Sequence, residues 1–126
     1  MKRAIIVCGT RTLSLSRYRQ AVFDWLNHLT KGWRDFLVIT GGADGADYLG
    51  NEWAKANGHR REGVYADWDK YNKAAGPIRN RKMAHLAELA AGRRYCVAFW
   101  DGVSAGTKDM IAVARRNGFK VKVIRL

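Results

Sequence analysis

Two kinds of apolar block alternate along this chain. Residues 3 to 8 form a short continuous apolar run, the pattern of a strand buried on both faces. Residues 17 to 31 place Tyr18, Ala21, Val22, Trp25, Leu26 and Leu29 at helical spacing, with Gly32 as the stop. Phe36–Thr40 repeats the strand pattern, and Ala46, Leu49, Trp53 and Ala56 repeat the helical one, ending near Asn57 and Gly58. Gly63–Tyr65 reads as a weak third strand, and residues 66 to 76 as a polar and aromatic loop. Pro77 fits the first turn of a helix, where its missing N–H costs nothing, and Met83, Leu86, Ala87 and Ala90 carry that helix to Gly92. Tyr95–Trp100 is a fourth strand and Thr107–Asn117 a last helix. Phe119–Ile124 then alternates apolar residues with Lys120 and Lys122, as a half-exposed edge strand does.

Strands that alternate with helices predict an α/β fold. We expect a single Rossmann-like, three-layer α/β/α domain over residues 1–126, with a five-stranded, mainly parallel sheet. Ligands of such sheets bind at the carboxyl ends of the strands, where the strand order reverses. The first strand ends at Gly9-Thr10-Arg11, the second at Gly41-Gly42 and the fourth at Asp101-Gly102, so these three loops share one rim.

Composition narrows the classes. The chain is 48% hydrophobic and carries no apolar run near the roughly 20 residues of a membrane span, so a globular, cytoplasmic protein without a membrane partner is expected. Cys8 and Cys96 both fall on strands and read as buried free thiols. No Cys or His spacing suggests a metal. A net charge of +12 favours polyanions, from nucleotide phosphates to nucleic acid, although the Lys and Arg residues are scattered.

The rim loops carry the candidate chemistry. Gly41, Gly42, Ala43 and Gly45 form one glycine-rich strand-to-helix turn, and Gly102, Ser104, Gly106 and Thr107 a second. Such turns bring the backbone close to a ligand and aim free N–H groups at an anion, with the helix macrodipole in support. Ser104 or Thr107 could equally act as a plain helix cap. Arg11 and Arg79, with Asn80 beside it in the first turn after Pro77, are candidates to hold a phosphate. Asp47 could bond ribose hydroxyls or stabilise its own helix start. Trp68 could stack on a base or plug the core.

The same blocks, in the same order, resemble the YspA-type, cpYpsA-related branch of the SLOG superfamily, Rossmann-like relatives of the DprA/SMF and LOG proteins. The resemblance rests on Gly9-Thr10-Arg11 with Ser14, the Gly41–Asp47 turn, Trp68 and Tyr71 ahead of Ala75-Gly76-Pro77, and Arg79-Asn80 with Met83. Phe99, Gly102, Gly106-Thr107 and Met110 complete it. It implies a site for nucleotides or nucleotide-derived ligands, including molecules related to NAD and ADP-ribose, and it fixes no cofactor. LOG-type hydrolases pair an Arg block with a Pro-Gly-Gly-x-Gly-Thr-x-x-Glu motif. Arg79 and Gly106-Thr107 match, but Met110 stands at the Glu position and Asp109 lies about 100° away around the helix. Three functions follow as expectations. The first is a sensor or processing domain for a nucleotide-derived ligand. The second is a nucleotide N-glycosidase or phosphoribohydrolase, with Asp47 or Asp109 as the carboxylate. The third is a single-stranded nucleic-acid module. Self-association is common in the superfamily, so a homo-oligomer is a further expectation.

Overall fold

In the computed structural model, which describes residues 1–126, the apolar runs become the strands β1 (Arg3–Gly9), β2 (Leu37–Thr40) and β4 (Arg93–Trp100). The more polar β3 (Arg60–Gly63) and β5 (Lys120–Arg125) complete the sheet. All five pair in parallel in the order β3-β2-β1-β4-β5. The chain builds outward from β1 to β3 and then returns to place β4 against the other side of β1. The order therefore reverses between β1 and β4, where a crevice opens at the carboxyl ends.

Side-chain alternation assigns the layers. Ile5, Val7, Val38 and Val97 face the helices α1 (Leu15–Leu29) and α2 (Ala46–Ala56), packing against Val22, Leu26, Leu49 and Trp53. Ala4, Ile6, Cys8 and Ile39 face α4 (Ala75–Ala90) and α5 (Ala105–Arg116), meeting Met83, Ala84, Ala87, Met110 and Val113. Small residues set the approach distance: a Cβ on Gly50 would come within 2.6 Å of Val7 Cγ1. The fully buried Trp53 satisfies its indole N–H on Asn27 Oδ1 at 2.8 Å.

Several boundaries differ from the sequence reading. The third strand lies at Arg60–Gly63 rather than Gly63–Tyr65, and it is exposed throughout. A four-residue edge strand needs no buried face, so it leaves no apolar signature. The expected loop over 66–76 is helical from Trp68 onward: Asp67 caps the short α3 (Trp68–Tyr71) by accepting from the Lys70 N–H at 3.2 Å, and a 3₁₀ turn (Asn72–Ala74) runs into α4. Pro77 is in the first turn of α4, as expected, but Arg79 and Asn80 are in the second turn, not the first. Helix α1 starts at Leu15, because Ser14 caps it through the Arg17 N–H at 3.3 Å.

Cys8 and Cys96 are free and buried, with sulfurs 3.8 Å apart. Their mutual hydrogen bond, then burial, pushes the Cys8 thiol well above its ordinary range. No helix is long and apolar enough to cross a membrane.

Candidate functional site

A cleft of about 720 Å³ opens at the carboxyl ends of β1, β2 and β4, within the usual size of small-molecule sites. It gathers most of the predicted residues: Gly9, Arg11, Gly41, Gly42, Ala43, Asp47, Trp68, Arg79, Asn80, Ser104, Gly106 and Thr107 all line it. Thr10, Ser14, Gly45 and Gly102 do not. Buried Thr10 ties the rim together, its N–H donating to the Phe99 carbonyl at 3.0 Å. Its carbonyl accepts from the Ala46 N–H at 3.2 Å and its hydroxyl from the Asp101 N–H at 3.0 Å. Gly45 caps α2 beneath that carbonyl, Gly102 sits under the Arg125 guanidinium, and Ser14 serves α1.

The two glycine turns are unequal. In the first, Asp47 Oδ2 already accepts from the Ala43 N–H at 3.3 Å. In the second, Asp101 Oδ1 takes the amides of Val103 and Ser104 at 2.8 and 2.9 Å, which holds the Asp101 carboxyl below its usual range. Ser104 makes no side-chain cap to α5. The N–H groups of Ala105, Gly106 and Thr107 therefore have no partner within the chain, and all three residues border the cleft. Three unsatisfied donors and the positive end of the α5 macrodipole thus point into the cleft, an arrangement suited to an anion.

A polar chain crosses the floor. Arg79 donates from Nη1 to the Gly41 carbonyl at 2.6 Å and from Nε to Asn80 Oδ1 at 3.1 Å. The buried Asn80 donates in turn to the Gly106 carbonyl at 3.2 Å and to Asp109 Oδ2 at 2.9 Å. Gly41 is needed for its bare Cα: a Cβ there would come within 2.5 Å of Arg79 Nη1 and 2.7 Å of Asp47 Oδ2. Gly42 has φ +69°, and the ring of Tyr65 occupies the space its side chain would fill.

Asp47 is 4% exposed in the first turn of α2. Burial raises its pKa to about 6, and Arg79 with the amides of Ala43 and Gly41 only partly offsets the rise. Across the cleft, Asp109 lines the wall beside Met110. Its position off the Met110 direction does not remove it from the site, because Asn80 reaches over from α4 to hold it. The hollow is also not uniformly basic: Arg11, Lys73 and Arg79 face Asp44, Asp47 and Asp109. Cations in such a mixed lining suit an anion, and carboxylates suit hydroxyl donors.

The sequence reading missed Tyr65, Lys73 and Cys8 as lining residues. Misplacing the third strand had put Tyr65 inside the sheet. Asp109 had a legible signal, since Gly106, Asp109 and Met110 share one helical face at i, i+3, i+4.

The sequence profile of the YspA, cpYpsA-related SLOG family matches residues 3–71, from β1 through α3. The chain belongs to this family. The profile match takes in Gly9, the Gly41–Asp47 turn and Trp68, while Arg79, Asn80 and the α5 amides lie beyond it. A relative, the Gene 61 protein of Mycobacterium phage D29, is 33% identical over 94% of each chain. The X-ray structure of TM1055, a structural genomics target, superposes with a TM-score of 0.65 at 20% identity, over 96% of this SLOG chain and 72% of that one. At that identity the likeness speaks for the Rossmann-like fold.

Proposed function

We propose that this SLOG domain binds a nucleotide-derived ligand, either a nucleoside phosphate or a molecule of the ADP-ribose or NAD kind, as a sensor or processing domain. One observation carries the reading: the Ala105, Gly106 and Thr107 amides stand unpartnered at a helix N-terminus inside a cleft that also holds Arg11, Arg79 and a buried carboxylate. The phosphate sits on those amides, and Asp47 accepts from the sugar hydroxyls. A thermal-shift panel of nucleotides, NAD and ADP-ribose tests it. Ligand at 100 times its Kd stabilises the domain by about 2.7 kcal/mol. A flat panel sinks the reading.

The raised pKa of Asp47 supports a second reading, an N-glycosidase. Asp47, partly protonated near pH 6, gives its proton to the departing base, and Asp109 takes one from the attacking water as the C1′–N bond breaks and a C1′–O bond forms. Incubation with nucleoside monophosphates then releases free base, and Asp47→Asn abolishes the release. Intact nucleotide after prolonged incubation rules this reading out and leaves binding as the function.

A further inference from the structure

Four of the five tryptophans are committed to the fold. Trp25 meets His28 and Lys122, Trp33 meets Phe36 and Tyr95, Trp53 meets Phe36 and His59, and Trp100 donates to the Ser104 carbonyl beside Arg125. Trp68 is not. It is 49% exposed although it lines the cleft, its indole N–H donates to nothing, and neither ring face meets another aromatic or a cation. Tyr65, three residues earlier and 74% exposed, is in the same condition. Its ring rests over the bare backbone of Gly42 and Gly63, and its hydroxyl is unbonded. Two large rings with uncommitted faces in a polar cleft have the chemistry to stack on an aromatic ring.

We propose that Tyr65 and Trp68 form the base-binding end of the cleft, stacking the aromatic ring of a nucleoside 5′-phosphate whose phosphate lies on the Ala105–Thr107 amides. The inference rests on the anion site described under Proposed function. Helix α4 sets the spacing. The Trp68 indole lies 3.4 Å from where a Gly76 Cβ would sit. Asn80, one turn or about 6 Å further along, donates to the Gly106 carbonyl at 3.2 Å. Inorganic phosphate cannot span from one end to the other, but a base, a pentose and a phosphate in line can. Asp47 and Arg79 lie between, where the pentose hydroxyls pass. Every base offers a π-face, so the platform tolerates different bases.

Calorimetric titration with adenosine 5′-monophosphate, uridine 5′-monophosphate, ribose 5-phosphate and inorganic phosphate separates the two ends. The native domain binds both nucleotides about tenfold more tightly than ribose 5-phosphate. Trp68→Ala and Tyr65→Ala, both at exposed positions and checked for folding by far-ultraviolet circular dichroism, bring that ratio towards one by weakening nucleotide binding far more than ribose 5-phosphate binding. Equal binding of nucleotide and ribose 5-phosphate by the native domain overturns the base platform and spares the anion site. A tenfold preference that survives both substitutions places the base elsewhere and also overturns it. Failure of all four probes to bind overturns the platform together with the reading beneath it.

Discussion

Asp47→Asn makes this domain more stable at neutral pH. The folded chain raises the carboxyl pKa from 3.8 to about 6, chiefly by burial. Between those values the folded state holds a proton that the unfolded state has released. The contribution of Asp47 to stability is thus fully present below pH 3.8, declines as pH rises to about 6, and stays constant above. Two pKa units correspond to about 3 kcal/mol. Asparagine keeps an acceptor for the Ala43 N–H and has no charge to desolvate. Arg79 loses a neighbouring anion but keeps the Gly41 carbonyl and Asn80 Oδ1. The variant therefore matches the native domain near pH 4 and exceeds it by up to about 3 kcal/mol at pH 7.5, some 10 °C in Tm for a domain of this size. Urea denaturation of both proteins at the two pH values measures the double difference, in which the acid sensitivity common to both cancels. An advantage independent of pH, or a variant less stable at pH 7.5, refutes the reasoning by showing that the ionised carboxylate is well accommodated. A residue that costs stability at its working pH, deep in a cleft, is the pattern of a functional group.

Ala105→Pro deletes one free amide at the first helical position, where proline is tolerated and where the extended Ser104 (φ −54°, ψ 118°) suits a following proline. The apo Tm stays within about 2 °C and nucleotide affinity falls about tenfold or more by calorimetry, the worth of one hydrogen bond to a charged group. Gly41→Ala drives a methyl into Arg79 and Asp47. It lowers stability by about 1–3 kcal/mol in urea denaturation and weakens nucleotide binding along with it. Thr10→Val strands the Asp101 N–H and costs about 1–3 kcal/mol in the same assay.

The central strands were legible because Ile5, Val7, Val38 and Val97 are buried between layers and must be apolar. The β5 edge was legible from the alternation of Lys120 and Lys122 with apolar residues, but the β3 edge was not: Arg60–Gly63 pairs with β2 through backbone alone, so its side chains say nothing of the pairing. At the site, Gly9, Gly41, Gly42 and Gly106 were visible because a strand that ends in glycine and feeds a helix is a local pattern. The occupation of the Val103 and Ser104 amides by Asp101 was not visible, because it depends on loop geometry. The Arg79–Asn80–Asp109 chain was also hidden, since it forms only when α4 and α5 pack side by side. Sequence located the rim, but packing decided which donors remain free.

The most direct test follows backbone amides by NMR while ¹⁵N-labelled domain is titrated with adenosine 5′-monophosphate. The Ala105, Gly106 and Thr107 resonances move first and furthest, with the Arg79 side chain, if nucleotide phosphate rests on these amides. Shifts confined to another surface, such as the exposed Lys120 and Lys122 edge, or none at these three amides under saturating nucleotide, contradict that placement.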